Sequence, residues 1–214
     1  MKTKIFAILL LCSFCQISFA QQTKSTKLAL KSSEPVNIWS LNLSFSDHGF
    51  GVGGTYFKNF SKNVSGNVSL LFSGAKDDRE FESFDIFGNS FTPYKVNRLF
   101  MAQLSIGPQI RLFREDVTDE LRPTIQFGLA PTAIIYTPYD KSFFPSFKYA
   151  KAKYTVGGYA GFGVDYLTSR TSSLTLNFRY YYVRLFGQGV NSLSTSELKS
   201  FNTISLLFGF NFMH

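Results

Sequence analysis

Near its carboxy-terminal end the chain places large apolar residues at every second position: Ile204, Leu206, Phe208, Phe210 and Phe212 alternate with Thr203, Ser205, Leu207, Gly209 and Asn211. Period two marks a strand with one apolar face and one mostly small or polar face. The same rhythm recurs upstream. Trp39, Leu41, Leu43 and Phe45 alternate with Ser40, Asn42 and Ser44, and beyond the Asp47-His48-Gly49 turn Phe50, Val52, Gly54 and Tyr56 alternate with small residues. Ser61-Lys62-Asn63 makes a tight turn into a third strand marked by Val64, Val68, Leu70 and Phe72. A fourth carries Val96, Phe100, Ala102, Leu104, Ile106, Ile110 and Leu112 opposite Asn97, Gln103, Ser105, Gln109 and Arg111. A fifth sets Ile125, Phe127, Leu129, Ala133 and Ile135 against Arg122, Thr124, Gln126 and Thr132. In the sixth, Tyr154, Val156, Ala160, Phe162, Val164 and Tyr166 oppose Lys153, Thr155, Gly157, Gly161, Gly163 and Asp165; in the seventh, Leu174, Leu176, Phe178, Tyr180 and Tyr182 oppose Thr175, Asn177, Arg179 and Tyr181.

Eight such strands, with no helix to cover their apolar faces, predict that those faces meet lipid. In hydrocarbon every backbone N–H and C=O must pair internally, which only helices and closed barrels achieve. The fold class is therefore all-β: an eight-stranded antiparallel up-and-down transmembrane barrel. Connections after strands two, four and six are short, while those at about 75–93, 138–149 and 187–196 are long. Short periplasmic turns, longer outer loops and an even strand number are the asymmetry of bacterial barrels. Several strands exceed the about 9 to 11 residues that cross a bilayer, so the sheet projects beyond it. Phe50, Tyr56, Tyr154, Tyr166, Tyr180 and Tyr182 fall near strand ends, where an interfacial girdle is expected. A lipocalin-like soluble barrel would instead have to turn Gln103, Arg111, Arg122, Gln126 and Arg179 out to water.

The amino terminus reads as an export signal over 1–20: Lys2 and Lys4 precede an apolar stretch from Ile5 to Leu11, and Ser18-Phe19-Ala20 is a small-x-small cleavage site. Residues 21–35 are polar, Lys-rich and closed by Pro35, a flexible periplasmic lead-in; the barrel occupies 36–214. Cys12 and Cys15 form a C-x-x-C, but inside the segment that is removed, and neither follows the small residue a lipoprotein site wants. Cleavage lowers Lys+Arg from 22 to 20 against 14 acidic residues, so the net charge falls from +8 to +6. No compact basic cluster interleaves with stacking aromatics, so no nucleic acid is expected; lipopolysaccharide phosphates are the nearer anion.

The terminal Phe208-Gly209-Phe210-Asn211-Phe212, the signal peptide, the eight-strand rhythm and the alternation of short and long loops together resemble the small outer-membrane β-barrel family of OmpA and OmpX type, over roughly 36–214. The resemblance implies residence in the bacterial outer membrane, contact with its lipid and lipopolysaccharide, and insertion by the barrel assembly machinery, which reads such a terminal strand. Met213 and His214 follow the last aromatic where the family more often ends on it, and Leu207 stands where a Gly is often found. The family includes adhesins, anchors, secretion accessories and a few enzymes, so the fold alone does not assign a role.

An eight-stranded lumen is just wide enough to be filled by side chains. Its inward positions carry Arg111, Arg122, Arg179, Lys151 and Lys153 with Asp165 as the chief counter-charge on the strands, and Asp165 is expected to pair with Arg122 or Arg179. The glycines at 157, 158, 161 and 163 permit curvature or make room for inward aromatics. Gly49-Phe50-Gly51-Val52-Gly53-Gly54 matches G-x-G-x-x-G in letters, but continues as a strand where a dinucleotide site needs a helix. No cofactor, metal site or catalytic residue is assigned. His48 beside Asp47, with Asp77, Asp78 and Ser83 on the same side of the membrane, is the constellation an outer-leaflet lipid-modifying enzyme would use, although Asp-His-Gly is also a good turn. The outer loops are rich in aromatics: Phe81, Phe84, Phe87, Phe91, Tyr94, Tyr139, Phe143, Phe144 and Phe147. They are candidates for a protein or glycan partner, for packing on the projecting sheet, or for lipopolysaccharide. The leading expectation is a non-enzymatic barrel that is structural or binds a partner through these loops, as in an accessory to a secretion or uptake assembly. The alternatives are a narrow channel for small solutes or anions and the His48 enzyme.

Overall fold

The computed structural model describes residues 37–77, 79–113, 120–169, 171–194 and 197–213. The export signal, the lead-in, Asp78 and most of the acidic turn after the fourth strand lie outside them. Eight long strands form the barrel: β1 (Asn37–Ser46), β2 (Gly49–Asn59), β3 (Val64–Ala75), β4 (Asn97–Arg111), β5 (Leu121–Pro138), β6 (Lys151–Leu167), β7 (Ser172–Arg184) and β8 (Ser200–Met213). Each pairs antiparallel with its sequence neighbour, and β1 pairs with β8 to close the sheet, Ile38 opposite Met213 and Phe45 opposite Leu206. Closure leaves no edge strand, which is the condition for spanning hydrocarbon.

Alternation sets the two faces. On β8 every odd-numbered residue from Phe201 to Met213 is buried, and every even-numbered one from Asn202 to Phe212 is exposed. Trp39, Leu41, Phe72, Leu129, Phe162, Leu176, Phe208 and Phe210 stand on the outer wall with their surfaces open. Rings pair there across strands, as in Trp39 with Tyr56 at 4.8 Å and Phe162 with Phe178 at 5.3 Å between centroids. A soluble barrel would reverse this polarity, which removes the lipocalin-like alternative. Among the described residues no helix is long and apolar enough to cross a membrane.

The wall is uneven in height. Strands β1 to β3 have 10, 11 and 12 residues, whereas β4, β5 and β6 have 15, 18 and 17, so one side rises well beyond the bilayer. At the periplasmic end, where β1 begins and β8 ends, turns are tight: Ser61 Oγ accepts from the backbone of Val64 at 3.1 Å, and Thr168 N–H donates to Ser172 at 3.1 Å. The first outer turn is equally short and needs Gly49, whose φ of +125° an L side chain rarely adopts. Two outer loops contain structure that periodicity did not reveal. Within the β3–β4 loop, Ser83–Phe84 pairs with Ser90–Phe91 as a small ribbon; within the β5–β6 loop, α1 (Phe143–Ser146) runs into a 3-10 turn at Phe147–Tyr149.

Candidate functional site

The lumen changes character along its axis. At the outer end, Leu99, Met101, Ala130, Ile134, Tyr159, Tyr181, Val183 and Phe201 form a buried apolar cluster joined by Leu185 and Val190 from the β7–β8 loop. Lys153 points inward and donates from Nζ to the carbonyls of Gln188 and Gly189, at 2.9 and 2.7 Å, fastening that loop over the mouth. Below the cluster the inward residues are polar. Asn42 Nδ2 donates to Thr55 Oγ1 at 2.7 Å, Thr55 Oγ1 to Ser69 Oγ at 2.8 Å, and Gln126 Nε2 to Asn177 Oδ1 at 3.0 Å. The tyrosines sit at the boundary: their rings stack at 5.8 Å, while Tyr159 Oη donates to Asn67 Oδ1 at 2.8 Å.

Asp165 lies half-buried toward the periplasmic end of β6. Thr175 donates to its Oδ1 at 2.5 Å and Gln109 to its Oδ2 at 3.4 Å. Arg122 is its register partner on β5, and Arg111 also bears on it electrostatically. All three line a cavity of about 60 Å³ at the periplasmic mouth. Arg179, grouped with them from the sequence, is placed elsewhere: it turns across mid-lumen toward β3, on the opposite wall. Inward glycines accommodate it. A Cβ on Gly161 would stand 2.9 Å from Arg179 Cγ, and one on Gly163 would collide with the Asn177 amide. The space these two glycines leave is therefore used by an arginine and an asparagine rather than by aromatics.

The aromatic loop residues divide into two groups. Phe143 and Phe147 fold onto the outer wall against Phe100, at 6.2 and 5.6 Å, and Phe144 packs edge-on to Phe143 at 5.3 Å. Tyr139 is occupied by cations, with Arg98 at 4.6 Å and Lys95 at 5.4 Å from its centroid. Phe81, Phe84, Phe87 and Phe91 belong to the ribbon and its approach, and they are exposed; Phe87 keeps 82% of its surface and its neighbour Ile86 94%. The base of the ribbon is anchored. Glu80 is buried, accepts from Lys95 Nζ at 2.6 Å and takes a hydrogen bond from Ser192 of the β7–β8 loop. Val96 N–H donates to Ser192 O at 2.7 Å and Ser194 N–H to Tyr94 O at 2.9 Å, lacing the two loops together. Glu80, Lys95 and Ser192 had no local sequence signal, because Glu80 and Lys95 stand 15 residues apart in an aperiodic loop and Ser192 reaches them only through closure of the barrel.

Of the groups the sequence set around His48, Asp47 stays beside it, Asp77 and Ser83 are engaged elsewhere, and Asp78 lies outside the described residues. His48 Nε2 lies 3.2 Å from the Asn202 carbonyl and 4.0 Å from Asp47, while Asp77 is held by Arg79 at 3.0 Å and Ser83 pairs with Phe91 in the ribbon.

A closed eight-stranded sheet with an apolar outer wall, a filled lumen and long loops at one end defines the class: a small membrane-spanning barrel of the bacterial outer-membrane type. No family model matches the chain, and no curated protein matches it. Solved structures do. The N-terminal barrel of OprF from Pseudomonas aeruginosa matches over 84% of this chain and 99% of its own, at 14% identity and a TM-score of 0.50. Neisserial surface protein A matches over 83% and 94%, at 11% identity and 0.51. A major outer membrane protein from Thermus thermophilus matches over 83% and 99%, at 12% identity and 0.53. The chain shares their fold.

Proposed function

We propose that this protein is a non-conducting, non-enzymatic outer-membrane barrel that presents a fixed apolar ribbon outward to a protein or glycan partner. The supporting observation is the contrast between the loops. Phe143 and Phe147 are consumed by packing on the wall, whereas Phe84, Ile86 and Phe87 are held out on a ribbon whose base is buried and ion-paired. Exposed apolar residues on a rigid support are what recognition uses, since little ordering entropy is lost on contact. The fill of the lumen supports the non-conducting part: Met101, Ile134, Tyr181 and Val183 leave little surface open, with Leu185 and Val190 of the β7–β8 loop packed on them. Asp165 with Arg111 and Arg122 then serves as a structural lock at the periplasmic mouth rather than as an ion path. Lipopolysaccharide surrounds the outer wall, and the terminal Phe run presents the barrel assembly machinery with its usual client signal.

A photo-reactive residue at position 87 in intact cells, with one at lipid-facing Leu129 as control, tests the reading. Adducts of one defined protein or glycan formed at 87 and absent at 129 are the expected result. Lipopolysaccharide adducts at both positions would assign the ribbon to the envelope itself, and a discrete conductance step in planar bilayers would replace the platform with a channel.

A further inference from the structure

Arg179 is at odds with its surroundings. The guanidinium leaves β7 in mid-lumen with 1% of its surface exposed. Nη1 donates to Ser69 Oγ at 3.4 Å and to Tyr181 Oη at 3.3 Å, and the cation lies 5.7 Å from the centre of the Tyr159 ring. All three partners are neutral, and both hydrogen bonds are long. No carboxylate reaches it among the described residues. Asp165 is the only acid on the described strands, and the arginines that bear on it are Arg122 and Arg111. A buried cation without a counter-charge costs several kcal/mol, and an arginine cannot shed its proton to avoid that cost.

The donors around it are idle as well. Arg179 Nε, Asn67 Nδ2, Gln103 Nε2 and Ser205 Oγ are buried without a hydrogen-bond partner. Each belongs to the same part of the lumen. Ser205 is the register partner of Arg179 on β8, and Asn67 lies two residues from Ser69 on the inward face of β3. Gln103 lies two residues from Ser105, whose hydroxyl shares Tyr181 Oη with Arg179. In register with Asn67 stand Gly107 on β4 and the buried Phe57 on β2, and in register with Arg179 on β6 stands Gly161, so none of these positions brings an acceptor side chain to the guanidinium. Of the amide acceptors here, Asn67 Oδ1 is taken by Tyr159, and Gln103 Oε1, buried without a partner, carries no net charge with which to balance the guanidinium.

We propose that the lumen holds a monovalent inorganic anion of halide size against Arg179 as its counter-ion, with the idle donors of Asn67, Gln103 and Ser205 completing its shell. Water could accept from these donors but would leave the charge uncompensated. A halide does both, and its spherical charge accepts from several directions at once. A polyatomic anion such as phosphate is too large for a lumen of this width. The site is independent of whatever the outer loops bind.

The test is to refold the wild-type protein into detergent in sodium bromide, crystallise it and collect data at the bromine absorption edge. An anomalous peak within hydrogen-bonding distance of Arg179 is the expected result, together with a saturable rise in unfolding temperature when chloride replaces gluconate at constant ionic strength. Arg179→Met should abolish both. An ordered water and no anomalous peak beside Arg179 in the wild type would overturn the proposal without reference to any variant. So would a peak that persists there in Arg179→Met, or unfolding that responds equally to both salts.

Discussion

At the outer end of the lumen Met101, Ile134, Val183 and Phe201 pack with the rings of Tyr159 and Tyr181, whereas at the periplasmic end Asp165, Gln109, Thr175 and Asn211 fill the same width of barrel with hydrogen bonds. The energetics of the two fillings differ. The apolar end gains from burial and close contact, which are non-directional and lost in proportion to volume removed. The polar end has each group's value fixed by its neighbours, so removing one member leaves others exposed to a low-dielectric interior. The tyrosine pair belongs to both regimes, rings on one side and hydroxyls on the other. Its position explains how a narrow barrel can join an apolar outer half to a hydrogen-bonded periplasmic half.

The largest loss is expected from Asp165→Asn. The side-chain volume is nearly unchanged and Thr175 can still donate to the amide oxygen, yet Arg122 and Arg111 lose the charge that faces them. Breaking a fully buried ion pair on one side costs about 3–5 kcal/mol, which is the upper bound for this half-buried cluster. Urea unfolding of the barrel in detergent, read by its heat-modifiable mobility, should register that loss. A change near zero would mean that the carboxylate is not the counter-charge. Next is Ile134→Ala in the apolar half, where the fully buried side chain leaves a cavity that costs about 2–5 kcal/mol. The two substitutions should also differ in kind: added arginine-neutralising anions should relieve the first and leave the second unchanged.

A smaller effect is expected from Thr55→Val, which preserves shape and removes the hydroxyl linking Asn42 to Ser69. Two buried partners are left short, at about 1–3 kcal/mol. If the loss is indistinguishable from zero, water has entered the polar half and the contrast between the ends is weaker than their side chains suggest.

How much of this was legible beforehand follows from the range of each signal. Period two is local, so strands, faces and loop lengths could be read from residues such as Trp39 to Phe45 and Ile204 to Phe212 without knowledge of their neighbours. The inward placement of Asp165 and three arginines followed from the same parity. Which arginine faces Asp165 did not: Arg122 and Arg179 both lie on strands adjoining β6, and only register and depth separate them. The Glu80, Lys95 and Ser192 anchor was invisible because it joins loops more than a hundred residues apart. The ribbon at 83–91 was likewise missed, since two-residue strands carry no readable period.

On the ribbon a second aspartate stands in water, and a still smaller effect is expected there. Asp85 caps the ribbon tip: its Oδ1 accepts from the backbone of Phe87 at 2.8 Å and of Asn89 at 2.9 Å, and its Oδ2 from the Asn89 side chain at 3.0 Å. These hydrogen bonds, that of the Asn89 side chain first, hold its carboxyl below the usual carboxylate value of 3.8. With the folded pKa lowered, the order that Asp85 gives the tip is complete above the ordinary carboxylate range and is lost as pH falls through the depressed value. Amide signals of Phe87 and Asn89 in lipid nanodiscs should therefore hold steady down to about pH 4 and shift together below it. Asp85→Asn should give the acid-form shifts already at neutral pH and, by loosening the exposed Phe84 and Phe87, weaken any partner adduct at position 87 while leaving urea stability of the barrel unchanged. Titration of those amides at the ordinary value would mean that the cap does not form, and the ribbon would then lose the fixed tip on which its role as a binding surface depends.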